Sequence, residues 1–337
     1  MKKLLIIISL LFLSIPVFAS EIEVQPTMIS RSNEQDRVWA GTFQIVWNEL
    51  IDKYIHNPIR FRDGTPFCVY ELNMKDFTTS DLSEHCFYKY SGNITKNTAK
   101  NIKKAIMKKF NETSDILDSL NLAPGSGNLI IYAMLKKDFE FLNRFDKLGE
   151  ASFGQNMTAK YFGINKNSDK STKDNVKVLF YNSPEDFAVK LLTKDNDEVY
   201  LYKNGTNKAF RTLFLDMNLK TAKFKGNKLM DESDELKIPN IKFDVSKTFD
   251  ELCNKRIMGT HFSISEAIET IKFNMDDKGV QLKSEAVIMV EKMALPQQSI
   301  QKPRYFYFDD TFVIFLKEKE KRTPYFALRV HDITKFQ

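Results

Sequence analysis

The hydrophobic period of this chain changes once, and that change constrains the fold more than any single motif. Between Asp36 and Ile55 the residues Trp39, Phe43, Val46, Trp47, Leu50, Ile51 and Tyr54 recur at helical spacing. Thr95–Leu120 repeats the pattern. There Ile102, Ala105, Ile106 and Phe110 form the buried stripe, and Lys100, Lys103, Lys104, Lys108 and Lys109 read as a solvated face, with a polyanion-binding patch as the alternative. After "APGSGN", Ala123–Asn128, a break rich in turn residues, the segments alternate or run apolar. Strands are expected at Leu236–Val245, Ile268–Met275, Phe306–Leu316 and Tyr325–Val330, with a tight turn between two strands at Asn204. A helix near Phe249–Arg256, capped by Ser246, interrupts them. Helices first and strands later point to an α+β fold, not to alternating βαβ units.

The first nineteen residues read as a leader and not as part of that fold. Lys2 and Lys3 form a positive start, Leu4–Leu13 an apolar stretch, and Val17-Phe18-Ala19 a cleavage site. An N-terminal membrane anchor is the alternative, but the run is shorter than the ~20 residues a span needs. The expectation is a bacterial-style exported protein, periplasmic, cell-surface or extracellular, with residues 20–337 as a single domain. Lys+Arg 50 against Asp+Glu 44 is a mild excess that argues neither for nucleic acid nor for an acidic substrate. No later run approaches spanning length, so stable membrane insertion is not expected, and the chain is read as a monomer. Three cysteines are too few for a disulfide scaffold. Either Cys68 and Cys86 pair and leave Cys253 over, or all three are buried thiols.

Catalytic patterns are missing. His56, His85, His261 and His331 lack ligand spacing, and neither a metal-binding motif, a nucleophile elbow nor a Gly-rich phosphate loop occurs. His331-Asp332 is adjacent on a strand, so the two side chains point apart. "KDNDEVY", Lys194–Tyr200, begins like a calcium loop but lacks its glycine and distal glutamate. The acid run "DESDE", Asp231–Glu235, has no partner signature. No metal and no cofactor is implied, and the expectation is a non-enzyme.

The remaining puzzle is "KGVQLKSEAVIMVEKMALPQQSIQKP", Lys278–Pro303. It starts as an alternating strand, with Val280, Leu282, Ser284 and Ala286 on one side and Gln281, Lys283 and Glu285 on the other. It then dissolves into a Pro- and Gln-rich exposed segment. The flanking segments, taken in order, resemble the serpin superfamily. "LKIPNIKFDVSKTFDELCNKRI" from Leu236, "AIETIKFNMDDKGV" from Ala267 and "FDDTFVIFLKEKEKRTPYFALRV" from Phe308 are similar to the serpin strand and short helix, the strand ending in an acidic turn and glycine, and the closing hairpin. "MLKKDF", Met134–Phe139, followed by Phe145 and Asp146, resembles the central strand. The resemblance covers about a hundred C-terminal residues; the serine-rich helix motif of the family is absent.

That resemblance implies an exposed bait loop whose first half inserts, once cleaved by a target protease, as an extra strand of a large sheet. Gly279 would be the hinge, Val280, Leu282, Ser284 and Ala286 the inward residues, and Lys292, Met293 and Ala294 the scissile region. The chain departs from inhibitory relatives in size. Val280 stands where threonine is usual, and Leu282 and Lys283 add bulk and charge, which can cost ~1–3 kcal/mol where a methyl is expected. Three functions stay open: a serine or cysteine protease inhibitor, a secreted α+β protein that binds a partner or ligand without inserting its loop, and an exported enzyme with a dispersed site.

Overall fold

A β-hairpin near the C-terminus organises the molecule. The computed structural model describes residues 22–120, 122, 124, 128–282 and 303–337. In it Phe312–Glu318 and Phe326–Val330 pair antiparallel, from Phe312↔Val330 to Leu316↔Phe326. Every residue of both strands is buried, the pattern of strands covered on two faces. Asp197–Lys203 lies on one side of the hairpin and Arg37–Ala40 on the other. Glu23–Val24, Asp186–Leu192 and Val176–Ser183 complete a main sheet of seven strands. The helix Phe210–Lys223 covers one face, where Phe214 meets Phe315 edge-on at 5.1 Å. On the other face Phe273 stacks on Phe326 at 4.8 Å.

Phe273 belongs to a four-stranded sheet in the order Ile241–Thr248, Ile268–Met275, Gly279–Leu282, Lys137–Glu140, antiparallel throughout. A third sheet joins Tyr305–Tyr307, Glu235–Pro239, Met157–Ile164 and Asp146–Phe153. Phe87–Asn93 pairs with Leu129–Leu135, and the helix Thr98–Phe110 rests on that pair through Ile102, Ile106 and Phe110.

Several expected elements change at their ends, each for a local reason. The helix expected over 36–55 begins only at Thr42, because Arg37–Ala40 is captured as a strand by Phe326–Arg329. Thr98–Phe110 is shorter than expected because Asn111 turns into the left-handed region at φ 53°. Leu236–Val245 is split at Asn240 between two sheets, its backbone N–H donating to Lys160. Ser246 therefore lies in a strand and caps nothing, and only a single 3-10 turn, Asp250–Leu252, follows. Asn204 leads into the helix Phe210–Lys223 instead of a second strand, since Phe210, Leu213, Phe214 and Met217 share one buried helical face.

Of the two alternatives for the cysteines, a Cys68–Cys86 bridge or three thiols, the structure has the second: all three are free. Cys68 Sγ faces Glu251 Oε1 at 3.9 Å, whereas Cys86 sits beside Lys137. A disulfide needs the two Cβ atoms about 4 Å apart, and these thiols pack among different neighbours. Burial pushes the first up to about 12 and the second to about 11.

Candidate functional site: a strand slot below Leu282

The strand Ile268–Met275 alternates, with Glu269, Ile271, Phe273 and Met275 buried. A tight turn follows: the Lys278 N–H donates to Asp276 Oδ1 at 2.9 Å, and the Asp276 N–H to the Gly279 carbonyl at 3.1 Å. Buried Asp277 holds the turn to Arg144 through an ion pair, while the Phe141 and Phe145 N–H groups donate to the Lys278 and Asp277 carbonyls. The chain then reverses as Gly279–Leu282, pairing Asn274↔Gln281 and Met275↔Val280 on one side and Gly279↔Glu140 to Leu282↔Lys137 on the other. Val280 and Leu282 are buried and Gln281 is exposed.

Gly279 has a reason to be glycine besides backbone freedom. A Cβ there would stand 2.1 Å from the Phe139 carbonyl oxygen and 2.8 Å from Glu140 Cα. The strand Lys137–Glu140 fits against it only without a side chain. Ser284, Ala286, Lys292, Met293 and Ala294, as well as the leader, lie outside the described residues.

Below Leu282 the two walls part. Leu129–Leu135, which continues through Lys136 into Lys137–Glu140, is paired only on its far edge with Phe87–Asn93. Ile268–Phe273 is likewise paired only on its far edge, with Phe243–Thr248. Among the described residues no strand joins the two facing edges. The gap is a cavity of about 570 Å³, with Leu282 at its boundary and Phe43 and Trp47 of the helix Thr42–Leu50 on its floor. Unpaired strand edges present rows of N–H and C=O groups that favour capture of another strand.

Midway along the slot stands Glu269. Its Oε1 accepts from Thr42 Oγ1 at 2.6 Å and from the Phe43 N–H at 3.3 Å, whereas Oε2 has no partner. Burial pushes this carboxyl up to about 8, outweighing the two hydrogen bonds at the helix start that favour its ionised form. Burial in the slot thus favours the neutral carboxylic acid over the charged form.

Two anchors flank the site. Lys137, directly across from Leu282, reaches Asp197 Oδ1 at 2.8 Å and Glu318 Oε1 at 2.7 Å, tying the slot wall to the main sheet. Its pKa rises although burial opposes it, because the two carboxylates, with Cys86 between them in influence, outweigh desolvation. Arg304 pins the chain on its return. Its guanidinium grips Asp234 at 2.6 Å and donates to the carbonyls of Asn227 and Leu229. The acid run 231–235 is thus a structural clamp, and Asp197 of the calcium-like segment pairs with Lys137. His331 Nδ1 faces Thr311 Oγ1 at 2.7 Å while Asp332 caps Thr334, so those two side chains do diverge. Glu269, Lys137 and Arg304 carried no signal in the sequence, since each partner lies between 60 and 230 residues away.

The order of these elements is the one the sequence resemblance implies: strand, acidic turn, Gly279, and a closing hairpin. The fold is α+β and serpin-like. No family model matches the chain, and no curated protein matches it. Among solved structures it is similar to Serpin48 of the insect Tenebrio molitor, with a TM-score of 0.47 and 11% identity over 88% of this chain and 92% of that one. It is also similar to thyroxine-binding globulin in complex with thyroxine, with a TM-score of 0.44 and 11% identity over 69% and 63% of the two chains. For a cleaved serpin 42Da the values are 0.47 and 12% over 75% and 78%. At such identities the likeness is one of fold alone.

Proposed function

We propose that this is an exported serpin-like protein in which the segment after Leu282 is a bait for a serine or cysteine protease and joins the sheet once cut. The observation that carries this reading is the placement of Gly279–Leu282. Four residues already lie as a strand between Lys137–Glu140 and Asn274–Met275, and an open slot continues in the same direction. If the segment after Leu282 continued in this register, Ser284 would face Leu135 and Ile271, and Ala286 would face Ala133 and Glu269. The bulk of Val280 and Leu282, unusual for inhibitory relatives, is accommodated, since both side chains are buried. Lys292–Ala294 would be the cut region and Gly279 the pivot.

A second reading is favoured by Glu269. An incoming strand must pass a buried carboxyl with an unpartnered oxygen, and a protein whose loop stops there would be a binder that does not trap enzymes. Limited proteolysis in the 286–296 region followed by thermal unfolding separates the two. Insertion adds a strand to the sheet and raises the melting temperature markedly. An unchanged melting temperature after clean cleavage would leave the binder.

A further inference from the structure

One exposed face, which shares Ile257 with the lining of the slot cavity, is built for a different partner. Arg60–Arg62 and Arg256–Met258 run antiparallel, bridged at Phe61↔Ile257. The Arg62 N–H donates to the Arg256 carbonyl at 3.0 Å and the Met258 N–H to the Arg60 carbonyl at 2.8 Å. Phe61 and Ile257 are buried beneath. Alternation therefore puts Arg60, Arg62, Arg256 and Met258 together on the solvent side. Among the described residues none of the three arginines joins an ion pair, and Arg62 stands opposite Arg256. Like charges facing one another across a ladder are destabilising, so this surface is short of an anion.

The neighbouring helix Phe67–Asn73 adds an apolar stripe. Phe67, Tyr70 and Met74 follow helical spacing and are 73%, 52% and 70% exposed, and Met258 is 54% exposed. The loop is fastened to this helix by Asn73, which accepts from the Ile59 N–H at 3.1 Å and donates to the Ile59 carbonyl at 2.9 Å. The acids nearby are Asp63, in the intervening turn, and Glu251, next to Cys68; the excess remains cationic.

We infer that the face formed by Arg60, Arg62, Arg256, Met258 and the Phe67–Tyr70–Met74 stripe docks on an anionic lipid surface. Arginines meet headgroup phosphates while the Phe67 and Tyr70 rings and the methionines enter the acyl boundary. Exposed apolar side chains beside unpaired cations are the composition that holds a protein on such a surface without spanning it.

The test is co-sedimentation of the mature chain with phosphatidylcholine vesicles containing phosphatidylglycerol, against phosphatidylcholine alone. Binding is expected only to the anionic vesicles, weakening as salt is raised. The triple variant Arg60→Glu/Arg62→Glu/Arg256→Glu should lower the affinity at least about tenfold. Phe67→Ser/Met74→Ser should lower it severalfold with the arginines intact. Thermal melts keep misfolded variants out of the comparison. Lys100→Glu/Lys104→Glu, on the exposed lysine face of the helix Thr98–Phe110, serves as control and should bind as the parent does. Failure of the folded parent to bind anionic vesicles overturns the inference. So does loss of binding in the lysine control alone, or an unaltered affinity in Phe67→Ser/Met74→Ser, which would mark simple charge attraction. Capture of a soluble acidic protein with no vesicle binding would assign the face to protein contact instead.

Discussion

Leu282 stands directly across the ladder from Lys137, whose ammonium bridges Asp197 and Glu318 of the main sheet. The last described residue before the candidate bait therefore pairs in the ladder with a buried cation that joins the slot wall to the hairpin core. Tyr325 and Ser83 complete the cluster, Tyr325 donating to Asp197 at 2.9 Å and Ser83 Oγ to Glu318 at 2.6 Å.

Removing that cation should be severe. Lys137→Met keeps the stem but leaves two buried carboxylates facing each other, and breaking a buried pair costs about 3–5 kcal/mol. Urea denaturation should show a loss of that size. A triple change that also removes both carboxylates, Asp197 and Glu318, should recover much of it.

Gly279→Ala should destabilise the protein by about 1–3 kcal/mol, as other overpacking changes do. The new methyl would meet the Phe139 carbonyl, so the strand Lys137–Glu140 has to move away. Amide hydrogen exchange should locate the lost protection at 137–140 and 279–282, with the main-sheet hairpin unchanged. Equal protection in both proteins would mean that the close approach is not maintained in solution.

Glu269 should imprint a pH dependence on stability. Its folded pKa of about 8 lies above the ordinary 4.5, so the folded chain holds this proton more tightly than the unfolded one. Stability is then lost as pH rises from about 4.5 towards 8, by up to about 1.4 kcal/mol per pH unit. Glu269→Gln keeps an acceptor for Thr42 and cannot ionise. The difference in stability between variant and parent should be small near pH 5 and grow in favour of the variant to pH 8, measured by denaturation across that range.

The cysteines should react as three thiols. Thiol titration under denaturing, non-reducing conditions should count three per chain, and peptide mapping should find Cys68 and Cys86 unlinked. In the native protein reaction should be slow, because burial holds the thiols of Cys68 and Cys86 well above the ordinary range.

Arg304→Ala should loosen the return of the chain after Pro303. It strands Asp234, which is wholly buried, and frees the carbonyls of Asn227 and Leu229. A loss of about 3 kcal/mol or more is expected, with faster proteolysis near residue 304.

The amino-acid sequence by itself determined what is periodic and local. Ile102, Ile106 and Phe110 declared a buried helical stripe, Ile268–Met275 a strand with one face inside, and Val280 and Leu282 the inward side of the next. Each follows from side-chain spacing, which neighbours along the chain can set alone. Tertiary structure decided the rest. Arg37–Ala40 became a strand only because Phe326–Arg329 offered an unpaired edge, and the helical spacing of Trp39 and Phe43 could not outweigh those hydrogen bonds. Cys68 and Cys86 stayed apart because their segments pack against different elements. The slot, its buried Glu269 and the Lys137 cluster arise where stretches 60 or more residues apart meet. Charge burial and unpaired strand edges are properties of such meetings, and no pattern in a single segment encodes them.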